Sequence, residues 1–131
     1  MKLLLDTHTL LWFALNDPQL SRPANATIMD PANEKWVSPA SYWEVAIKIS
    51  IGKYAIAQPF EDFWRNAIDM NGFQIIHVLP RHAAALAALP FPPNNHRDPF
   101  DRLIVAQAKV EGMSVVSADA KLDAYGITRI W

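Results

Sequence analysis

No cysteine occurs among the 131 residues, which excludes disulfides, thiolate nucleophiles and Cys-based zinc sites. Nor is there an excess of basic charge. Twelve Lys and Arg stand against thirteen Asp and Glu, giving a net charge of −1 and a pI near 6.4. An overall positive field that would gather nucleic acid non-specifically is therefore missing. A nuclease with an acidic centre and a few local basic residues remains compatible with this balance. No apolar stretch reaches membrane-spanning length, and the three leucines after Met1-Lys2 are too few for a signal-peptide core. A cytoplasmic protein is expected. Repeats, linkers and low-complexity tracts are also lacking, so residues 1–131 are expected to form a single domain.

What is present is an ordered, core-forming composition, 51% hydrophobic and 19% charged. Five Trp and six Phe exceed what so small a core can hide. Some of Trp12, Phe13, Trp36, Trp43, Phe60, Phe63 and Trp64 are expected on a contact surface. Apolar runs predict strands over Lys2–Leu5, Glu34–Val37, Phe73–Val78, Ser114–Ser117 and Thr128–Trp131. Helices are predicted over Thr7–Leu15, from Ser21 or Arg22 to Met29, and from the Ser38-Pro39 cap pair to about Ser50. Further helices are expected over Pro59–Met70, Pro80–Leu89, Asp98-Pro99 to Val110, and Asp119–Tyr125. Pro90 to Arg97 reads as an irregular loop. Strands alternating with helices, without hairpin signals, predict parallel crossovers. The expected fold is α/β, a three-layer α/β/α sandwich whose mainly parallel sheet has about four or five strands.

The acids carry the chemistry. Asp6 follows the buried run Leu3-Leu4-Leu5, and Asp119 follows Val115-Val116-Ser117-Ala118, so both stand just past the C-terminal end of a strand. In a parallel sheet those ends share one edge, where α/β folds build their sites. Helix capping explains Asp6 about equally well in isolation. Glu44 completes an S-x-x-E pattern with Ser41, but Ser38-Pro39 is the better helix start and puts Glu44 in the second turn. Asp98 before Pro99 suits an N-cap, and Asp101 one turn on is the preferred ligand, with Asp98 as a supporting acid. Four converging carboxylates would repel one another unless a cation neutralised them. Oxygen donors without sulfur select a hard ion, Mg2+ or Mn2+. Such a centre suits attack of water on a phosphodiester.

Taken in order, Leu3-Leu4-Leu5-Asp6-Thr7, Ser41-Tyr42-Trp43-Glu44-Val45-Ala46-Ile47-Lys48, Asp101-Arg102-Leu103-Ile104-Val105-Ala106-Gln107-Ala108 and Val116-Ser117-Ala118-Asp119 resemble PIN-domain ribonucleases. The resemblance extends to the VapC-type toxins of toxin–antitoxin pairs. It implies that Asp6, Glu44, Asp101 and Asp119 form a metal-binding catalytic tetrad, with the hydroxyls of Thr7 and Ser117 beside the metal. It further implies an Mg2+-dependent endoribonuclease that cleaves RNA with activated water, a cognate antitoxin and a homodimer. The family commonly shows Asp-Ala-Leu-Ile-Ala-Ala where this chain has Asp101-Arg102-Leu103-Ile104-Val105-Ala106.

Competing readings are a PIN nuclease of RNA processing, a non-catalytic α/β binding module, and a phosphatase of the haloacid dehalogenase type. The last needs a second Asp where His8 stands. The four histidines, His8, His77, His82 and His96, show no metal-ligand spacing, and His77 reads as a strand residue. Arg97 and Arg102 flank the third acid, and Lys48 lies one helical turn beyond Glu44. These three are candidate RNA phosphate contacts, with local salt bridges as the alternative explanation.

Overall fold

A computed structural model describes all of residues 1–131. Its centre is β1 (Lys2–Leu5). The other strands are β2 (Glu34–Val37), β3 (Gln74–Ile75), β4 (Ser114–Val116) and β5 (Arg129–Ile130). All pairings are parallel, in the order β3-β2-β1-β4-β5. Side chains alternate across β1, so Leu3 and Leu5 enter one apolar cluster and Leu4 enters the other. The first cluster is covered by α1 (Thr7–Ala14), α2 (Arg22–Met29), α4 (Phe60–Asp69) and part of α3 (Pro39–Ser50). The second is covered by α6 (Pro99–Glu111), against which α5 (Pro80–Ala87) packs, and by the 3₁₀ segment Ala120–Tyr125. Both faces are therefore buried, and the three-layer α/β expectation is met.

The strand order matters for function. The chain steps from β1 to β2 and β3 on one side, then crosses to β4 and β5 on the other. The connections leaving β1 and β4 therefore diverge, and the crevice between adjacent strands of this kind is where open α/β sheets bind ligands. Two bonds hold that crevice in register. The Asp6 amide donates to the Val116 carbonyl at 3.2 Å, and the Thr9 hydroxyl donates to the same oxygen at 2.9 Å.

Two expectations change. The strand expected over Phe73–Val78 is only Gln74–Ile75, because its sole neighbour β2 ends at Val37, which pairs with Ile75. One further bond, from the Ile76 amide to the Val37 carbonyl, finishes the ladder as β2 turns into α3. His77 is thus exposed coil beyond the strand. The terminal strand likewise shrinks to Arg129–Ile130 beside the short β4. The aromatic surplus divides as expected. Phe63 and Trp64 are core, while Trp43 is 61% exposed. No helix is long and apolar enough to cross a membrane.

Candidate active site

Asp6 ends β1 and caps α1. Its Oδ1 accepts from the Thr9 amide at 2.8 Å, the ordinary duty of an N-cap aspartate. Capping does not exhaust the side chain, which is 94% buried and sits at the crevice. Burial raises its pKa above the usual carboxylate range, against the opposing hydrogen bonds of Ser117 and Thr9. Thr7, the next residue, donates its hydroxyl to Ser41 at 3.1 Å and so ties the start of α1 to α3.

Glu44 is carried by α3, whose true start is Ser38. The Ser38 hydroxyl accepts from the Ala40 amide, and Pro39 occupies the first helical position. Glu44 therefore lies in the second turn, buried, with Oε2 on Lys48 at 2.7 Å. Its Oε1 is buried with no hydrogen-bond partner. A buried acceptor without a donor is costly, and a cation is one partner that would satisfy it.

Asp98 is the N-cap of α6, and its Oδ1 accepts from the amides of both Phe100 and Asp101 at 2.9 Å. Asp101 stands one turn into the helix and points its Oδ2 at His96 Nε2, 3.1 Å away. Asp119 caps the 3₁₀ segment through Oδ1, while its Oδ2 is 3.9 Å from the same His96 nitrogen. Ser117 accepts from the Asp119 amide at 3.0 Å and so joins the turn holding Asp119 to the Asp6 side of the crevice.

His96 is the residue the sequence did not reveal. It is 94% buried, and it offers Nε2 to a trio with Asp101 and Asp119 whose candidate ligand atoms all lie within 4.8 Å of one another. It belongs to the irregular loop, where no periodicity predicts which way a side chain points.

Asp101 reports on three of its acidic neighbours, Asp98, Asp6 and Glu44. Burial, the Asp98 charge and the charges of Asp6 and Glu44 push its pKa up to about 7, while the hydrogen bond from His96 pulls the other way. Asp101 thus feels the charges of Asp98, Asp6 and Glu44, as neighbouring carboxylates must. An all-oxygen set with one unsatisfied buried oxygen fits a hard divalent cation. Asp6, Glu44, Asp101 and Asp119 are the residues that could hold it.

The coupling has a measurable consequence. An acid whose folded pKa lies above its unfolded value stabilises the fold least where it is ionised. Metal-free protein should therefore lose stability as pH rises from about 4 to about 7, the window set by the unfolded and folded values of Asp101. Melting in EDTA should occur at a temperature lower by on the order of 5 °C at pH 8 than at pH 5. Mn2+ should recover the difference, and Asp101→Asn should flatten the slope. A melting temperature that rises across this window in EDTA would contradict the coupled-acid description.

Of the three expected phosphate contacts, Arg102 does not qualify. It is 95% buried, and its guanidinium donates to the carbonyls of Leu89 and Pro90 and to the Tyr125 hydroxyl. Adjacent helical positions point about 100° apart, so Asp101 reaches the site while Arg102 turns inward to satisfy loop carbonyls. Arg97 is exposed near the Phe91 ring. Lys48 is bound to Glu44, with its side chain 39% exposed. His8 is exposed too. None of the molecule's hollows is lined by any of the four acids; the largest, about 400 Å3, is bounded by Trp12, Phe13, Asn16 and Arg22 among others. The acid cluster is an open edge, which suits a chain-like substrate better than an engulfed small molecule.

A parallel α/β sheet with acids gathered at its switch point is the design of a PIN domain, and the PIN-domain family matches residues 3–127. The chain belongs to that family. Across 124 residues it is 30% identical to Ribonuclease VapC22 of Mycobacterium tuberculosis, covering 93% of this chain and 90% of the relative. Its fold is similar to that of VapBC-1 from nontypeable Haemophilus influenzae, with a TM-score of 0.68 at 15% identity, covering 98% and 96% of the two chains. VapBC2 from Rickettsia felis, solved bound to a DNA fragment from its promoter, gives a TM-score of 0.68 at 14% identity, covering 98% and 97%.

Proposed function

We propose that this protein is a metal-dependent endoribonuclease, the toxin of a VapBC-like pair, acting in the cytoplasm and restrained by a cognate antitoxin. The observation that carries the reading is the buried Glu44 oxygen without a partner, set among acids that raise the pKa of Asp101. The relationship to a VapC-type ribonuclease along nearly the whole chain supports RNA as substrate. The VapBC complexes among its structural neighbours support a protein partner.

In this reading Asp6, Glu44, Asp101 and Asp119 hold Mg2+ or Mn2+. The ion supplies charge neutralisation at the phosphodiester and acidifies water. Thr7 and Ser117 keep the acid-bearing turns in place, and the exposed Arg97, which donates to Asn95 at 3.0 Å, is the candidate contact to backbone phosphate. Trp43 and Ile47 on α3 and Ile51 at its C-cap, at four-residue spacing, are 61%, 37% and 58% exposed. Together they form an apolar stripe suited to a homodimer contact.

The test is cleavage of a mixed RNA pool by the purified protein. Products should appear with Mg2+ or Mn2+ and disappear with EDTA, and an antitoxin co-purified from the adjacent reading frame should suppress them. Cleavage that persists in EDTA would rule out the proposed chemistry.

A further inference from the structure

We propose that His96 is a positioning residue that donates from Nε2 to Asp101, with its tautomer fixed by Tyr125 and Arg102, and that it does not ligate the metal. The inference rests on the nuclease reading for the metal itself. The hydrogen-bond geometry points the other way from what the proximity of His96, Asp101 and Asp119 suggests at first, namely a three-ligand site.

Arg102 sets the direction of the chain, because its guanidinium can only donate. Its Nη1 lies 3.3 Å from the Tyr125 hydroxyl, so the phenol oxygen accepts there. The single phenol proton then has two acceptors in reach, His96 Nδ1 at 2.7 Å and the His96 carbonyl at 3.5 Å. The first is a strong contact and the second is at the limit of a hydrogen bond. With the proton directed at Nδ1, the neutral imidazole carries its own hydrogen on Nε2. That nitrogen faces Asp101 Oδ2 at 3.1 Å, and an ionised carboxylate is an acceptor only. In this sense every donor in the chain Arg102–Tyr125–His96–Asp101 meets an acceptor.

The ligand alternative weakens the chain at the Tyr125 proton. Coordination needs the lone pair of Nε2, which moves the ring proton to Nδ1. That proton would crowd onto the second lone pair of a phenol oxygen already accepting from Arg102. The Tyr125 proton would be left with the carbonyl at 3.5 Å. His96 and Tyr125 are each 6% exposed, and a poorly paired proton between buried groups is costly. Donation from His96 instead fixes one oxygen of Asp101 and leaves the other for the cation, the arrangement by which outer partners orient metal-binding carboxylates. The edge-on packing of the His96 and Tyr125 rings, with centroids 5.5 Å apart, holds the imidazole in that orientation.

Nitrogen NMR of histidine-labelled protein at pH 8 reads the tautomer directly, without reference to activity. The expected spectrum shows His96 protonated on Nε2 and bare on Nδ1, both without metal and with saturating Mg2+. Mn2+ titration calorimetry supplies the second readout, with circular dichroism melting as the check on folding. H96Q keeps an amide donor near the Nε2 position and should bind Mn2+ nearly as wild type does. H96L should bind it about ten- to a hundredfold more weakly. Y125F keeps the ring packing but frees the tautomer, and it should fall between them. Loss of the Nε2 proton on adding Mg2+, or an H96Q as weak as H96L, would overturn the proposal. A wild-type chain that binds no Mn2+ would sink the nuclease reading along with this one. Retained binding with a bare Nε2 would sink this one alone.

Discussion

Replacing Asp6 by Asn should abolish metal-dependent RNA cleavage, with a loss of at least ~100-fold, the scale on which removal of a group that stabilises transition-state charge is felt. The fold should survive, and the reasons are local. The capping bond from the Thr9 amide goes to Oδ1, and an asparagine oxygen accepts it equally well. The side chain is buried beside other acids, and burial already raises its pKa, so removing the charge relieves repulsion in metal-free protein. The variant should therefore melt no lower than wild type in EDTA and should gain less from added Mn2+. Comparison of cleavage rates and melting curves with and without metal checks both halves. An Asp6→Asn protein that cleaves RNA at the wild-type rate would remove Asp6 from the chemistry and leave it only a helix cap.

The same pair of roles explains why the site was partly legible in the sequence. Asp6 and Asp119 each follow an apolar run, and a parallel sheet brings such strand ends to one edge whatever their separation along the chain. Asp6 and Asp119 each cap with one oxygen, so the structural and chemical explanations of these residues coexist. The boundaries of β3 and β5 were not legible because edge strands end where their neighbour ends, and that is a property of the partner. His96 was hidden for a different reason. It sits in a loop rich in Pro and Asn, and its partners Asp101 and Tyr125 lie five and 29 residues away along the chain. Arg102 departs from expectation because adjacency to Asp101 in sequence is not adjacency in space on a helix. Its place on the helix beside the buried Val105 and Ala106, three and four positions on, was the usable signal.

Asp98→Asn and Asp101→Asn should separate by a wide margin, although the two residues begin the same helix. Asp98 is exposed, and its Oδ1 serves two backbone amides at the start of α6. Asparagine caps about as well as aspartate, so cleavage and Mn2+ affinity should stay close to wild type. The small change that remains should run through charge, because Asp98 is the neighbour that contributes most after burial to the raised pKa of Asp101. Asp101 is itself coupled to Asp6 and Glu44 and hydrogen-bonded to His96. Neutralising it removes a carboxylate from the centre of the cluster, so most of the Mn2+ affinity and at least ~100-fold of the cleavage rate should go with it. Calorimetric titration with Mn2+ and a cleavage time course on the two variants decide the matter. A dead Asp98→Asn beside an active Asp101→Asn would move the third acid of the site to the helix cap.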